Sequence, residues 1–247
     1  MLKRDLLGTK LSIVSEIGKA FNMDTILISD FTRINKNTKR ILDIGTGNGA
    51  ILLYLSQKFK GELIGVEIQE NRYKVALENI KLNELEEQIK IFNEDVKSFN
   101  LKKKADIIVS NPPYFKVNEE TKQSIDLDMR IAKHELTLTL EELIIAARKN
   151  IKHGGQFFFV HKADRLDEIM HLLYQYDFSV KRIRFVHPRI DLSPNQVLIE
   201  AHFKGRQHLT VLPPLIQYHS DQTLTEEMKS IYEGRSYKNE YTNFWWN

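Results

Sequence analysis

Arg40-Ile41-Leu42-Asp43-Ile44-Gly45-Thr46-Gly47-Asn48-Gly49-Ala50 is the stretch that decides the fold. It begins as an apolar run of strand length, passes through glycines, and continues over 51–59 as an apolar helix. A strand that turns through glycines into a helix opens α/β folds that bind nucleotides. The glycines let the backbone pass close to a ligand at the helix N-terminus. Gly45-x-Gly47-x-x-Ala50 matches the dinucleotide fingerprint only loosely. A tight strand-to-helix turn without a ligand would use similar glycines.

The same alternation continues outward. Residues 62–67, 89–92, 105–110 and 156–160 read as further strands, and 71–82, 138–150 and 165–176 as helices, with Gly154-Gly155 a turn. Two late β-rich runs, 180–186 and 196–203, are placed to pair antiparallel across the 188–195 connection. Strands alternating with helices predict an α/β, mostly parallel, doubly wound sheet of Rossmann-like kind, and the last two strands predict an antiparallel edge hairpin. Residues 1–38 read as an N-terminal helical segment with loops, Asp24 or Thr25 capping an apolar helix. Residues 39–215 form the domain. Residues 216–247 form a tail whose Phe244-Trp245-Trp246 is expected to dock on the domain surface. The charged segment 116–134 lacks periodicity and reads as a lid, a binding loop or plain disorder.

The 247 residues suit one such domain, and 42% hydrophobic content can build its core. The absence of cysteine excludes disulfides, thiolate metal sites and a cysteine nucleophile. No apolar run approaches the roughly 20 residues of a membrane-spanning helix. No apolar signal core follows Met1-Leu2-Lys3-Arg4-Asp5, so a cytoplasmic location is expected. No metal is expected, and the oligomeric state stays open, with a monomer favoured. A net charge of +3 says little about nucleic acid by itself. Its distribution says more: Lys181, Arg182, Arg184, Arg189, Lys204 and Arg206 cluster late, and Lys3, Arg4, Lys10, Lys36, Lys39 and Arg40 early. Either cluster is equally a solvated surface.

Asn111-Pro112-Pro113-Tyr114 follows the run 105–110, at the carboxyl end of a strand, where open α/β sheets keep their chemistry. Two prolines fix two φ angles and remove two donors, which makes a stiff turn presenting carbonyl oxygens. Asn111 Oδ1 and the Pro112 carbonyl can each accept one N–H of a planar NH2 group while Tyr114 stacks on its face.

Asp43 and Glu67 narrow the ligand. Glu67, at the end of the second strand, is placed to hold two ribose hydroxyls, which suits NAD and S-adenosylmethionine alike. Asp43 just before the glycine loop would repel a pyrophosphate but serves a cationic sulfonium ligand or its ammonium group. Asp95 could accept a hydrogen bond from an adenine amine, or act as a turn acid. An Asn-Pro-Pro-Tyr turn has no use in hydride transfer.

These residues together resemble the class I S-adenosylmethionine-dependent methyltransferases that methylate planar nitrogen. Further stretches are similar to the bacterial tRNA(Val) adenine-37 N6-methyltransferase family. They are Val109 to Phe115, Arg130-Ile131-Ala132-Lys133-His134-Glu135, Val160-His161-Lys162 with Arg165-Leu166, Leu212-Pro213-Pro214-Leu215, Thr225-Glu226-Glu227 and Asp24-Thr25-Ile26-Leu27. Asn48 stands where many relatives are expected to have Ser or Cys. The resemblance implies S-adenosylmethionine at Asp43, Gly45, Gly47, Glu67 and Asp95, with Thr46, Ile68, Val96 and Asn111 in the same pocket. It implies the target base at Asn111, Pro112, Pro113 and Tyr114, with Phe115 beside it, and a tRNA anticodon stem-loop as partner. Arg182 and Arg184, two apart on a strand, are expected to share a solvent-facing side and bind RNA phosphate. The rival substrates are a glutamine amide of a release factor, which fits the same turn, and DNA adenine. The release-factor enzymes resemble this family but carry a helical substrate domain before the glycine loop, for which the residues ahead of Gly45 leave little room. A non-catalytic RNA-binding factor on the same fold is a third reading.

Overall fold

The computed structural model describes residues 2–15, 23–112 and 138–235. Five strands run parallel: β3 (Arg40–Ile44), β4 (Glu62–Val66), β5 (Ile89–Phe92), β6 (Ala105–Ser110) and β7 (Ile151–Lys162). β9 (Gln196–Phe203) pairs antiparallel with β7, and β8 (Phe178–His187) antiparallel with β9. Two short strands, β10 (Thr210–Val211) and β11 (Leu215–Ile216), pair parallel with β8. The strand order is β10-β8-β9-β7-β6-β3-β4-β5, so the expected parallel sheet and its antiparallel edge are both present.

Side chains leave a strand alternately to its two faces, and the core divides accordingly. Ile41, Ile107, Val109, Phe158 and Val160 pack with α1 (Met23–Phe31), α2 (Ala50–Ser56), α3 (Glu70–Leu82) and α6 (Glu226–Tyr232). Leu42, Ile44, Ile108, Phe157 and Phe159 pack with α4 (Leu140–Asn150) and α5 (Leu166–Gln175). A strand covered on both faces must be apolar throughout, which is why 157–160 shows no alternation. Thr139 starts α4 with a capping box: its side chain accepts the Glu142 N–H while the Glu142 carboxylate accepts the Thr139 N–H. The Gly154-Gly155 turn is instead part of a longer β7, where the register with β6 shifts between Ala105 and Ile107.

Residues 2–15 correct the helical expectation. β1 (Leu2–Asp5) and β2 (Ser12–Ser15) form an antiparallel hairpin, a separate two-stranded sheet. So short a hairpin is marginal alone, and its partners come from far along the chain. Fully buried Asn79 on α3 accepts the Val14 N–H (2.6 Å) and donates to the Val14 carbonyl (3.0 Å). Asn83 treats Ser12 in the same way, at 2.9 and 2.8 Å. Asn79 also donates to the Asn48 carbonyl in the glycine loop (2.9 Å), so one amide joins hairpin, helix and loop. Asn79→Ala is expected to strand three backbone groups, two of them buried, and cost about 3 kcal/mol, read by urea unfolding. A loss well under 1 kcal/mol would mean that the hairpin adds little.

Residues 210–235 are also more ordered than a tail. The Thr225 side chain accepts the Met228 N–H to start α6, and Met228 and Ile231 join the core. Asp24 and Thr25 lie within the first turn of α1 rather than ahead of it, and both side chains serve tertiary contacts.

Candidate active site

The strand order reverses between β3 and β6: β4 and β5 lie beyond one, β7 and β9 beyond the other. Ligands in open α/β sheets bind at the carboxyl ends of the strands flanking such a reversal. Here those ends carry the glycine loop after β3 and Asn111 after β6. Buried Ser110 holds them together, its hydroxyl donating to the Ile44 carbonyl (2.8 Å).

Gly45 and Gly47 take left-handed φ angles of 72° and 60°. Among the described residues, a methyl group added at Gly45 would meet nothing within 4 Å, and one at Gly47 only the Arg72 guanidinium at 3.9 Å. The loop therefore faces open space that a ligand can fill, and its glycines are needed for backbone conformation. Buried Glu67 supports the loop: Oε2 accepts the Gly47 N–H (2.9 Å) and Oε1 the Gln69 N–H (2.8 Å). Asn93 in turn donates to the Glu67 carbonyl (2.8 Å).

Asp43 is fully buried. Its Oδ2 accepts the Thr46 hydroxyl (2.7 Å), and its Oδ1 has no hydrogen-bond partner among the described residues. Burial pushes its carboxyl up to about 7, the Thr46 hydrogen bond opposes this, and the Glu67 charge adds to it. A buried carboxylate oxygen without a donor is costly unless a ligand supplies one. This orphan, the open glycine loop and the acid after β4 fit a cationic ligand that carries a ribose.

Ile68 is partly exposed beside Glu67, while Val96 is buried. Asp95 sits in the turn after β5, where Oδ1 accepts the Lys97 N–H (2.9 Å). It acts there as a turn acid, and its side chain is 35% exposed, so it can still be reached from outside. Asn111 donates through its NH2 to the Thr25 hydroxyl (3.3 Å). That contact ties one of the two amide N–H donors to α1 and so fixes where the side chain sits. Pro112 is buried. Pro113, Tyr114, Phe115 and the segment 116–134 lie outside the described residues, as does Phe244-Trp245-Trp246.

Residues 22–176 match the methyltransferase small domain family. The chain belongs to that family. Its cofactor is S-adenosylmethionine, which the orphaned Asp43 oxygen and open loop fit. A relative from Parabacteroides distasonis named tRNA1(Val) (adenine(37)-N6)-methyltransferase is 30% identical over 66% of this methyltransferase and 68% of its own length. Relatives of the same name from Bacteroides thetaiotaomicron (29% identical over 74% and 76%) and Christiangramia forsetii (27% over 84% and 87%) extend the match. Among solved structures, one described as "a predicted O-methyltransferase" from Agrobacterium tumefaciens superposes with a TM-score of 0.68 at 20% identity. It covers 88% of this chain and 100% of its own. That likeness bears on fold alone.

The expectation for Arg182 and Arg184 needs correction. They do share a face, but it looks onto α1 and α6 rather than solvent. The Arg182 side chain is 11% exposed, ion-paired with Glu200 and stacked on Phe31, its guanidinium carbon 4.6 Å from the ring centroid. Arg184 donates to both Glu227 oxygens (2.8 and 2.9 Å) and to the Pro213 carbonyl (2.9 Å). The alternation argument placed the two correctly relative to each other. It could not see that residues 210–235 fold back over that face. Glu200→Ala is expected to leave Arg182 uncompensated at a cost of about 3–5 kcal/mol, measured by chemical unfolding. A cost below 1 kcal/mol would return Arg182 to the list of available cations.

Sequence reasoning also missed Thr25 as a partner of Asn111 and Asn79 as a brace of the glycine loop. Both contacts span long stretches of chain, and no local pattern signals them. Among the described residues, no group of three or more His, Asp or Glu could hold a metal ion. No helix among them is long and apolar enough to cross a membrane.

Proposed function

We propose that this methyltransferase transfers a methyl group to the exocyclic N6 of adenine in tRNA, at adenosine 37 in the anticodon loop of tRNA(Val). The observation that carries the reading is Asn111. Its amide is anchored through NH2 to Thr25, at the carboxyl end of β6, beside the glycine loop. The names of the relatives support the substrate.

An adenine N6 lone pair is delocalised into the ring and is a poor nucleophile. Asn111 Oδ1 and the Pro112 carbonyl each accept one N6–H, which turns the lone pair out of the ring plane. S-adenosylmethionine supplies an activated methyl on its sulfonium centre. No strong base is needed first, because the proton leaves to water after transfer. Tyr114 and Phe115 hold the base plane. Glu67 holds the ribose and Asp43 faces the cationic end, while Thr46, Ile68, Asp95 and Val96 complete the cofactor pocket. Positioning of this kind supplies about 7–11 kcal/mol in well-oriented model reactions. An adenine in a loop leaves its stack more cheaply than one in a duplex, where the cost is roughly a few kcal/mol. The methyltransferase acts in the cytoplasm as a monomer on the anticodon stem-loop.

The test is methyl transfer from labelled S-adenosylmethionine into separated tRNA, rRNA and release factor, followed by nucleoside analysis. Label as N6-methyladenosine in a valine tRNA is expected. Label in the release factor would move the same chemistry to a glutamine amide, and bound cofactor with no transfer would favour a non-catalytic RNA-binding role.

A further inference from the structure

Among the described residues, Ile190 and Leu192 stand out on the sheet edge that carries the active site. β8 runs parallel to β7 and β6, since both pair antiparallel with or through β9, so its carboxyl end lies on the same edge as Asn111. The loop leaving that end, Pro188-Arg189-Ile190-Asp191-Leu192-Ser193-Pro194-Asn195, exposes 77% of Ile190 and 43% of Leu192. Large apolar side chains held this far out in a flexible loop would mean little. This loop is pinned instead. Leu192 N–H donates to the Arg189 carbonyl (3.1 Å), and Asn195 N–H to the Val186 carbonyl (3.1 Å). The Leu192 carbonyl lies 2.8 Å from His187 Nδ1, and Tyr218 N–H donates to the Pro188 carbonyl (2.9 Å). Arg189 closes the turn with two contacts of 3.0 Å to Asp191. Two prolines stiffen it further. The ordering is thus complete without burying either apolar side chain.

We propose that this loop is an RNA-contacting wedge: Ile190 and Leu192 pack against nucleobases beside the target adenine. The inference rests on the tRNA reading above. Neighbouring strands lie about 4.8 Å apart, so the end of β8 is about 14 Å, three strand spacings, from the end of β6. A nucleotide whose base is held at Asn111 therefore brings its neighbours over the loop. Taking a base out of its stack exposes the faces of the bases beside it. Proteins that unstack nucleic acid cover such faces with Ile, Leu, Met, Phe or Pro.

The experiment compares wild type with I190S/L192S, using a valine tRNA transcript as the probe. The double variant is expected to raise KM for the transcript tenfold or more while leaving cofactor Kd and thermal midpoint unchanged. The loss should be the same at every salt concentration, because apolar contacts release no counterions. I190F/L192S, which puts back a stacking face at position 190 in place of the double variant's hydroxyl, should recover most of the wild-type KM. Equal KM in wild type and double variant overturns the wedge and leaves the tRNA reading intact. Transfer by wild type into protein and not into tRNA overturns the reading and the wedge with it. A cofactor Kd that weakens in step with KM would also overturn the wedge, since the loop would then be acting on the fold.

Discussion

Asn111→Ala is expected to lower kcat by about 10²–10³-fold, the range for removing one group that holds the reacting atoms, while cofactor Kd changes less than threefold. The reason is the division of labour within one amide. One N–H of its NH2 donates to the Thr25 hydroxyl and fixes the side chain, while the oxygen is the group proposed to meet the substrate. Alanine removes that oxygen but leaves β6 and the Ser110 bond to the Ile44 carbonyl in place. Thr25→Val should show a smaller kcat loss, because the amide is then free to rotate, and Thr25→Ser should restore it. Single-turnover methyl transfer at saturating cofactor reads both effects. Full activity in Asn111→Ala would end the proposed role of the turn.

Cofactor affinity is expected to weaken about tenfold for each pH unit below about 7, and to level off above it. Burial has moved Asp43 from its ordinary 3.8 up to about 7. A ligand cation favours the ionised form, so binding below about 7 must displace a proton. For stability the sign is opposite. Between about pH 4 and 7 the cofactor-free folded protein binds a proton that the unfolded chain has already released. Stability from this group is therefore full below about pH 4, falls as pH rises through that window, and is constant above about 7. The total is about 4 kcal/mol, from about 1.4 kcal/mol for each pH unit of displacement. Asp43→Asn should remove both trends: a cofactor Kd that is weak and flat with pH, and cofactor-free protein more stable than wild type at pH 8. Calorimetric titration in buffers of differing ionisation enthalpy counts the proton directly. A wild-type Kd unchanged between pH 5 and 8 would mean that Asp43 is already ionised without ligand.

The two predictions draw on residues read from sequence, and they show where that reading stops. Asp43, Glu67 and Asn111 could be placed at strand ends from sequence because a strand end next to glycine or proline is a local pattern, and the parallel sheet makes strand ends neighbours. Asp95 was visible by the same logic, yet its Oδ1 caps its own turn. Arg182 and Arg184 were assigned to one face correctly and to solvent incorrectly. Alternation is a property of the strand, whereas what covers a face depends on chain distant in sequence, here Phe31 well before the strand and Glu227 well after it.

Sequence by itself determined the order of strands and helices, the apolar strands of the doubly covered sheet, and the carboxylates and amide at the strand ends. Those features follow from periodicity and backbone restriction, which act within a few residues. Tertiary structure alone decided the N-terminal hairpin, the Asn79 brace, the Thr25 contact that anchors Asn111, and the Asp43 oxygen that lacks a partner among the described residues. Each depends on a buried polar group that must find its partner, or go without one, among residues tens of positions away. A local pattern carries no record of that pairing, because the demand for partners arises only when folding removes water.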